Sequence, residues 1–339
     1  MRAPDFWAED GALARLLAPL GTGYDLAGRL RRALAHPASV GIPVVCVGNL
    51  VAGGAGKTPV ALALIEALGT RGCKVQCLTR GYGGRVSGPH RVDPARDTAA
   101  RVGDEALLLA RAAPTWVARD RTAGARAAAT AGAEVIVMDD GFQNPSLAKD
   151  LSLVVIDGAY GFGNGRVMPA GPLRETVPGG LARAEAVVVL GPERPDLDAH
   201  LDAHLGVRPN GGPNGGPNGG PALLAARLAP RPGSELLAGR RVLAFAGIGR
   251  PEKFFATLAE LGAKVVETRA FPDHHAYAPA EIESLRVRAA ALEACAVTTE
   301  KDAVRLSSEL REGIEVLAVA VEWCEPAALD ALLDRVCAP

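Results

Sequence analysis

The chain has 339 residues, 48% of them hydrophobic and only 4% aromatic, with 37 basic against 38 acidic side chains and a formal net charge of -1. That length fits two ordinary domains, and that apolar content fills two packed cores, which excludes a disordered or fibrous protein. The balanced charge gives no general attraction to nucleic acid, whereas a polyphosphate ligand needs only local positive charge.

Residues 1–37 read as an amphipathic helical segment. Leu13, Leu16, Leu17 and Leu20 recur at helical spacing, and after a break at Gly21–Gly23 come Tyr24, Leu26, Leu30 and Leu34. Arg15, Arg29, Arg31 and Arg32 share the segment with Phe6 and Trp7, a mixture suited to a helix lying on anionic lipid. Packing of the helix on its own domain is the alternative. Asp5, Glu9 and Asp10 fall where a secretory signal needs basic and apolar residues, and no uncharged apolar run reaches the ~20 residues of a spanning helix. The protein is therefore expected on the cytoplasmic side. Its six cysteines show neither zinc nor redox spacing and are expected to be reduced thiols.

From Ile42 onward strands alternate with helices. Ile42–Val47, Lys74–Leu78, Thr115–Ala118, Glu134–Met138, Leu153–Ile156 and Ala186–Leu190 are apolar runs of strand length, and Pro59–Leu68, Glu105–Ala112 and Arg121–Ala131 are helical. This alternation predicts an α/β domain over 38–205, a parallel sheet covered by helices on both faces. Asn210–Pro221 is three copies of Asn-Gly-Gly-Pro, which cannot bury a core, so 206–235 is expected to be a low-complexity insertion and linker. Strands at Arg241–Ala246, Lys264–Arg269, Ala294–Thr298 and Ile314–Ala320, with helices at Lys253–Leu261, Glu281–Leu292 and Pro326–Val336, predict a second, smaller α/β domain over 236–339 that closes a cleft.

The strongest chemical signal follows the first strand: Gly48-Asn49-Leu50-Val51-Ala52-Gly53-Gly54-Ala55-Gly56-Lys57-Thr58-Pro59. A strand, a Gly-rich loop and a helix opened by Lys-Thr make a phosphate cradle from backbone N–H groups and the helix dipole. Asn49, Gly53, Gly54, Ala55 and Gly56 would line the nucleotide, Lys57 would reach its β/γ-phosphates, and Thr58 would ligate Mg²⁺. Val51 stands where the usual motif has its first glycine, a departure that the Gly53–Gly54 pair offsets. Val135-Ile136-Val137-Met138 ends in Asp139-Asp140, which puts a carboxylate at the ligand-binding edge of such a sheet. Arg80 and Tyr82 in one Gly-rich loop, and Arg166 and Arg174 in another, are suited to meeting phosphate or substrate. Gly247-Ile248-Gly249 lacks the third glycine of a dinucleotide loop, and Asp273-His274-His275 lacks the partners of a zinc site.

Together these segments resemble the tetraacyldisaccharide 4'-kinase family. The resemblance runs through Gly48–Pro59, Arg80–Gly84, Gly103-Asp104-Glu105, Asp139-Asp140-Gly141-Phe142-Gln143, Gly163–Glu175, Phe271–His274 and Thr299-Glu300-Lys301-Asp302, nearly the whole chain. It implies transfer of the ATP γ-phosphate to the 4'-hydroxyl of a tetraacylated glucosamine disaccharide 1-phosphate, giving lipid IVA in lipid A biosynthesis. It implies attachment to the cytoplasmic face of a bacterial inner membrane, with no protein partner required. By the same resemblance Asp104 and His274 form the catalytic pair, and Thr58, Asp139, Gln143 and Glu175 are the metal positions. The competing reading is a P-loop ATPase that has no small-molecule acceptor.

Overall fold

The structure is a computed structural model that describes residues 4–192, 197, 201 and 220–337. Its first part contains α1 (Ala12–Ala33), β1 (Val44–Gly48), α2 (Lys57–Thr70), β2 (Val75–Thr79), β3 (His90–Arg91), α3 (Ala99–Val102), α4 (Asp104–Ala110), β4 (Thr115–Val117), α5 (Arg121–Thr130), β5 (Val135–Asp139), β6 (Leu151–Asp157), α6 (Val177–Leu181) and β7 (Ala186–Leu190). Its second part contains β8 (Ala222–Pro230), β9 (Arg241–Ala246), α7 (Pro251–Glu260), β10 (Lys264–Ala270), α8 (Pro279–Ala291), β11 (Cys295–Thr299), α9 (Glu300–Ala303), α10 (Ser308–Arg311), β12 (Ile314–Leu317), β13 (Val319–Trp323) and α11 (Pro326–Cys337).

Nine strands make one sheet in the order β13-β8-β7-β6-β1-β5-β2-β4-β3. Neighbours from β8 to β4 are parallel, and only the edge strands β13 and β3 run antiparallel. The strands read as continuous Val/Ile/Leu runs because both faces are covered. Along β1, Val44 and Cys46 enter one core while Val45 and Val47 enter the other, the period-two alternation of a pleated strand. β1 lies mid-sheet between β5 and β6, so the loop leaving it opens at the switch point where such sheets bind ligands.

A second sheet, β10-β9-β11-β12, is parallel throughout. Its carboxyl edge faces that of the large sheet, and side chains from the loops at both edges meet in the cleft between them.

The domain limits expected from composition need correction. Residues 222–230, expected to lie in the linker, form β8, an inner strand between β7 and β13. Its Ala- and Leu-rich sequence has little intrinsic strand preference, and tertiary pairing on both sides overrides it. The single strand expected at Ile314–Ala320 is two: β12 ends the small sheet, and β13 crosses back to pair with β8. α11 then packs Leu329, Leu332, Leu333 and Val336 into the large-sheet core. The small domain is thus inserted into the large one, whose last strand and helix come from the end of the described chain. The repeat's first ten residues, 210–219, lie outside the described residues; Pro221 is buried at the start of β8.

α1 also differs from expectation. Gly21 and Gly23 do not break it; the helix runs unbroken for 22 residues. A Cβ at Gly21 would come within 2.5 Å of the Val167 carbonyl oxygen, so this glycine permits close approach to the domain. Ala14, Gly21 and Asp25 share the inward face, and Leu13, Leu16, Leu20, Leu26, Leu30 and Leu34 are exposed. The arginines expected to meet lipid are mostly turned to protein: Arg29 pairs with Asp25 and donates to Thr176, Arg31 donates to the Gln143 carbonyl, and Arg32 pairs with Glu175. No helix among the described residues is long and apolar enough to cross a membrane.

Candidate active site

The loop between β1 and α2 is fixed before any ligand arrives. Val51 forms an antiparallel bridge with Leu173, the Ala52 amide donates to the Pro172 carbonyl (2.7 Å), and the Arg174 amide donates to the Leu50 carbonyl (2.7 Å). An extended residue is what that bridge requires, which explains why Val51 replaces a glycine. Asn49 is fully buried and donates from Nδ2 to the Val51 carbonyl at 2.7 Å, tightening the turn from inside. Gly56 caps α2 with φ +85°, and a side chain there would collide with Leu190. This left-handed residue aims the first amides of α2 into the cradle.

Lys57 lies 3.6 Å from Asp140, which also takes Arg174 at 2.8 Å. Burial would raise the Asp140 carboxyl, but Lys57 and Arg174 outweigh it and hold it at about 2. One residue earlier the balance reverses. Burial, reinforced by the Glu105 carboxylate, pushes Asp139 up to about 7 against the pull of Lys57. The Thr58 hydroxyl donates to Asp139 Oδ2 at 3.2 Å, while Asp139 Oδ1 is buried without a hydrogen-bond partner.

Gln143 and Glu175, expected beside the metal, sit elsewhere. Glu175 takes both terminal nitrogens of Arg183 (2.8 and 2.9 Å), Arg32 at 3.2 Å and Gln143 at 3.1 Å. Burial would raise this carboxyl; the Arg183 fork and the Arg32 charge more than reverse that and lower it. Gln143 donates to the Asn49 carbonyl at 2.9 Å and accepts from Arg174 at 3.3 Å. Two guanidinium groups already neutralise Glu175, so it braces the cradle and is not free to take a cation. Among the described residues no group of three His, Cys, Asp or Glu side chains converges as a metal cage.

Across the cleft, His274 Nδ1 lies 2.9 Å from Asp104 Oδ2, and the Tyr82 ring sits 5.3 Å from the His274 ring. Asp104 opens α4, is 4% exposed, and belongs to the large domain; His274 follows β10 of the small one and has φ +59°. Burial would raise the Asp104 carboxyl, yet the His274 hydrogen bond and the Lys301 and Arg305 charges hold it well below the usual carboxylate range. His275 turns away, bonded to Glu281 at 3.0 Å and stacked on Phe271.

Of the other expected residues, Arg174 is in the site, and Arg80 is exposed at the end of β2. Arg166 is not at the phosphate edge: it pairs with Asp10 at 2.6 Å and borders a cavity of about 430 Å³ under α1, with Asp25, Leu26, Arg29 and Thr176. Several residues carried no motif. Arg250 reaches the Gly54 carbonyl (3.1 Å) and Asp157 (2.9 Å), Lys253 also pairs with Asp157, and Lys301 meets Glu105 at 3.2 Å. Arg305 grips Asp104. A signal existed for Asp157 alone, which ends an apolar strand as Asp139 does.

The family model for tetraacyldisaccharide-1-P 4'-kinase matches residues 13–338. The tetraacyldisaccharide 4'-kinase of Paramagnetospirillum magneticum is 55% identical over 336 residues, covering 99% of each chain. That of Rhodospirillum rubrum is 54% identical over 336 residues, 99% of this chain and 98% of its own. Among solved structures, LpxK from Aquifex aeolicus in complex with ATP superposes with a TM-score of 0.74 at 26% identity, covering 96% of this chain and 99% of that one.

Proposed function

The chain belongs to the tetraacyldisaccharide 4'-kinase family and is a kinase of lipid A biosynthesis; from that premise we propose how its residues move the γ-phosphate of ATP to the 4'-hydroxyl of a tetraacylated glucosamine disaccharide 1-phosphate. The observation that carries this reading is the contact of Asp104 with His274 from the opposite domain, in the cleft that also holds the P-loop. A sugar hydroxyl is a poor nucleophile and needs a group to orient it and accept its proton. Supplying that group from two domains confines the reaction to the closed cleft, where water is excluded from ATP.

The P-loop amides and Lys57 would hold the β- and γ-phosphates, and the Arg174–Asp140 pair keeps Lys57 aimed along the cradle. Mg²⁺ fits the Thr58–Asp139 corner, where a buried carboxylate oxygen lacks a partner beside a hydroxyl, the oxygen donors a hard cation takes. Bound there, it would neutralise charge on the phosphate oxygens. Gln143 and Glu175 support that corner from behind. Incubation with labelled ATP and the tetraacyldisaccharide 1-phosphate should yield a bis-phosphorylated lipid. ATP hydrolysis that continues without lipid, with no phosphate on the lipid, would favour the ATPase reading instead.

The exposed leucines of α1 would seat the protein on the cytoplasmic face of the inner membrane, with the neighbouring cavity at the lipid surface. Removing α1 entirely would also strip Arg31 and Arg32 from Gln143 and Glu175, so point changes test this better. Leu16→Glu with Leu20→Glu should abolish sedimentation with anionic vesicles while sparing turnover of detergent-dispersed lipid. Unchanged sedimentation would leave the helix a purely structural role.

A further inference from the structure

Asp104 has no acceptor site left for a substrate proton. A carboxylate offers about four lone-pair positions, and four protein donors already occupy them. His274 Nδ1 (2.9 Å), Arg305 Nε (2.8 Å) and the Arg305 terminal nitrogen all meet Oδ2, while the Glu105 amide meets Oδ1 at 2.9 Å. Arg305 is itself locked from the small-domain side. Its other terminal nitrogen donates to Asp302 (2.8 Å) and to the Gly247 carbonyl (2.7 Å), and Asp302 is fixed by the Gly247 amide, Tyr277 and Thr299. Both partners of this ion pair are about 95% removed from solvent, where a bidentate guanidinium is strongly orienting.

His274 is arranged in the opposite way. With an ionised Asp104 able only to accept, Nδ1 carries the hydrogen, which leaves Nε2 with a free lone pair. The nearest acidic group to Nε2 is Asp273, at 3.8 Å, beyond hydrogen-bond distance. The ring is 28% exposed toward the cleft beside Tyr82.

We propose that Arg305 is the positioning residue of the pair, and that by saturating Asp104 it makes His274 Nε2 the group that receives the sugar proton. As the sugar oxygen bonds to the γ-phosphorus and the bond from phosphorus to the ADP oxygen breaks, the hydroxyl proton passes to Nε2. The resulting imidazolium is balanced at Nδ1 by Asp104. Domain closure then does two things at once, since the ring and the guanidinium both arrive from the small domain. This inference rests on the kinase reading above and assigns the two halves of its catalytic pair.

The test is the pH profile of kcat at saturating ATP and lipid. Activity should fall on the acid side as Nε2 is protonated. The charged groups facing the pair are Arg305 and Lys301, which oppose that proton, and Asp104 and Asp273, which favour it. Arg305→Gln removes one opposing cation, so the acidic limb should move to higher pH by about one unit, with kcat near neutral pH about tenfold lower or more. Arg305→Lys keeps the charge without the fork: kcat should fall while the limb stays near its wild-type position. Arg250→Gln breaks a different contact across the cleft and should lower kcat without moving the limb. A limb unmoved in Arg305→Gln means that Arg305 only ties the domains together and overturns the proposal. Should that variant not fold, wild-type kcat in Arg305→Lys overturns it equally. The kinase reading fails separately, if His274→Ala keeps wild-type kcat.

Discussion

The two walls of the cleft reach their working geometry by different routes. On the large-sheet wall, Lys57, Asp140, Arg174, Gln143 and Asn49 hold one another within a single domain, and the loop is pinned by its bridge to Leu173. On the other wall, His274 and Arg305 meet Asp104 across 170 and 201 residues of chain, and only because two sheets face each other. The first wall is preorganised by local packing. The second exists only while the domains are closed. A kinase that must bind ATP yet keep it from water gains from this division, since binding and commitment reside in separate structures.

The sharpest way to break the comparison is to damage the fixed wall. Lys57→Ala or Thr58→Ala should lower kcat/KM by about a hundredfold to a thousandfold, because both side chains serve phosphate and metal and not the core. Melting temperatures should stay near wild type. Near-normal kcat/KM in either variant would remove the nucleotide assignment altogether.

Damage to the assembled wall should be smaller and coupled. Asp104→Ala and His274→Ala should each lower kcat by about a hundredfold with little change in the KM for ATP. The double variant should be scarcely worse than the worse single one, since the groups act as a unit. Fully multiplicative losses would show two independent residues.

How much of this was legible beforehand depends on what fixes each residue. The P-loop and the Asp139–Asp140 strand end were readable because strand, loop and helix are contiguous and the chemistry follows from local backbone geometry. His274 was identified through family resemblance, and its pairing with Asp104 is visible only in three dimensions. Arg305 left no mark, because its role comes from where a short helix docks and not from any spacing in sequence. Glu175 misled for a related reason: its neighbours Arg183 and Arg32 are distant or out of register in sequence, and they decide that its charge is already spent. Gly21 and Gly23 suggested a helix break, yet at Gly21 the absence of a side chain serves contact with the 167 backbone. Strand β8 was hidden by alanine-rich composition next to a repeat.

A thermal measurement sharpens the comparison further. Asp104 is held below its ordinary value of 3.8, so its ionised contacts stabilise the folded state above that pH and are lost as pH falls through the lowered folded value. The melting temperature of Asp104→Asn should therefore lie below wild type by several degrees near neutral pH, and the gap should close below about pH 4. A gap independent of pH would show that the carboxylate contributes shape and not charge.

The smallest effect is expected from the repeat. Because Pro221 is buried, the cut is best made at 210–219, replaced by a short linker. Activity and melting temperature should hardly change, as loop-closure entropy depends only weakly on length. A large loss in either would assign the repeat a role in the cleft.

The return of the chain through β13 and α11 has a consequence for the order in which the protein is made. The small sheet draws all its strands from one continuous stretch, Arg241–Leu317, and can complete its pairing as soon as that stretch has left the ribosome. The large sheet begins some two hundred residues earlier but stays unfinished until Trp323 is laid beside Ala226 and Leu333 reaches its core. Until then β8 presents an unpaired edge, the kind of surface that invites pairing with another chain. The domain that binds the nucleotide is thus the first to be started and the last to be closed.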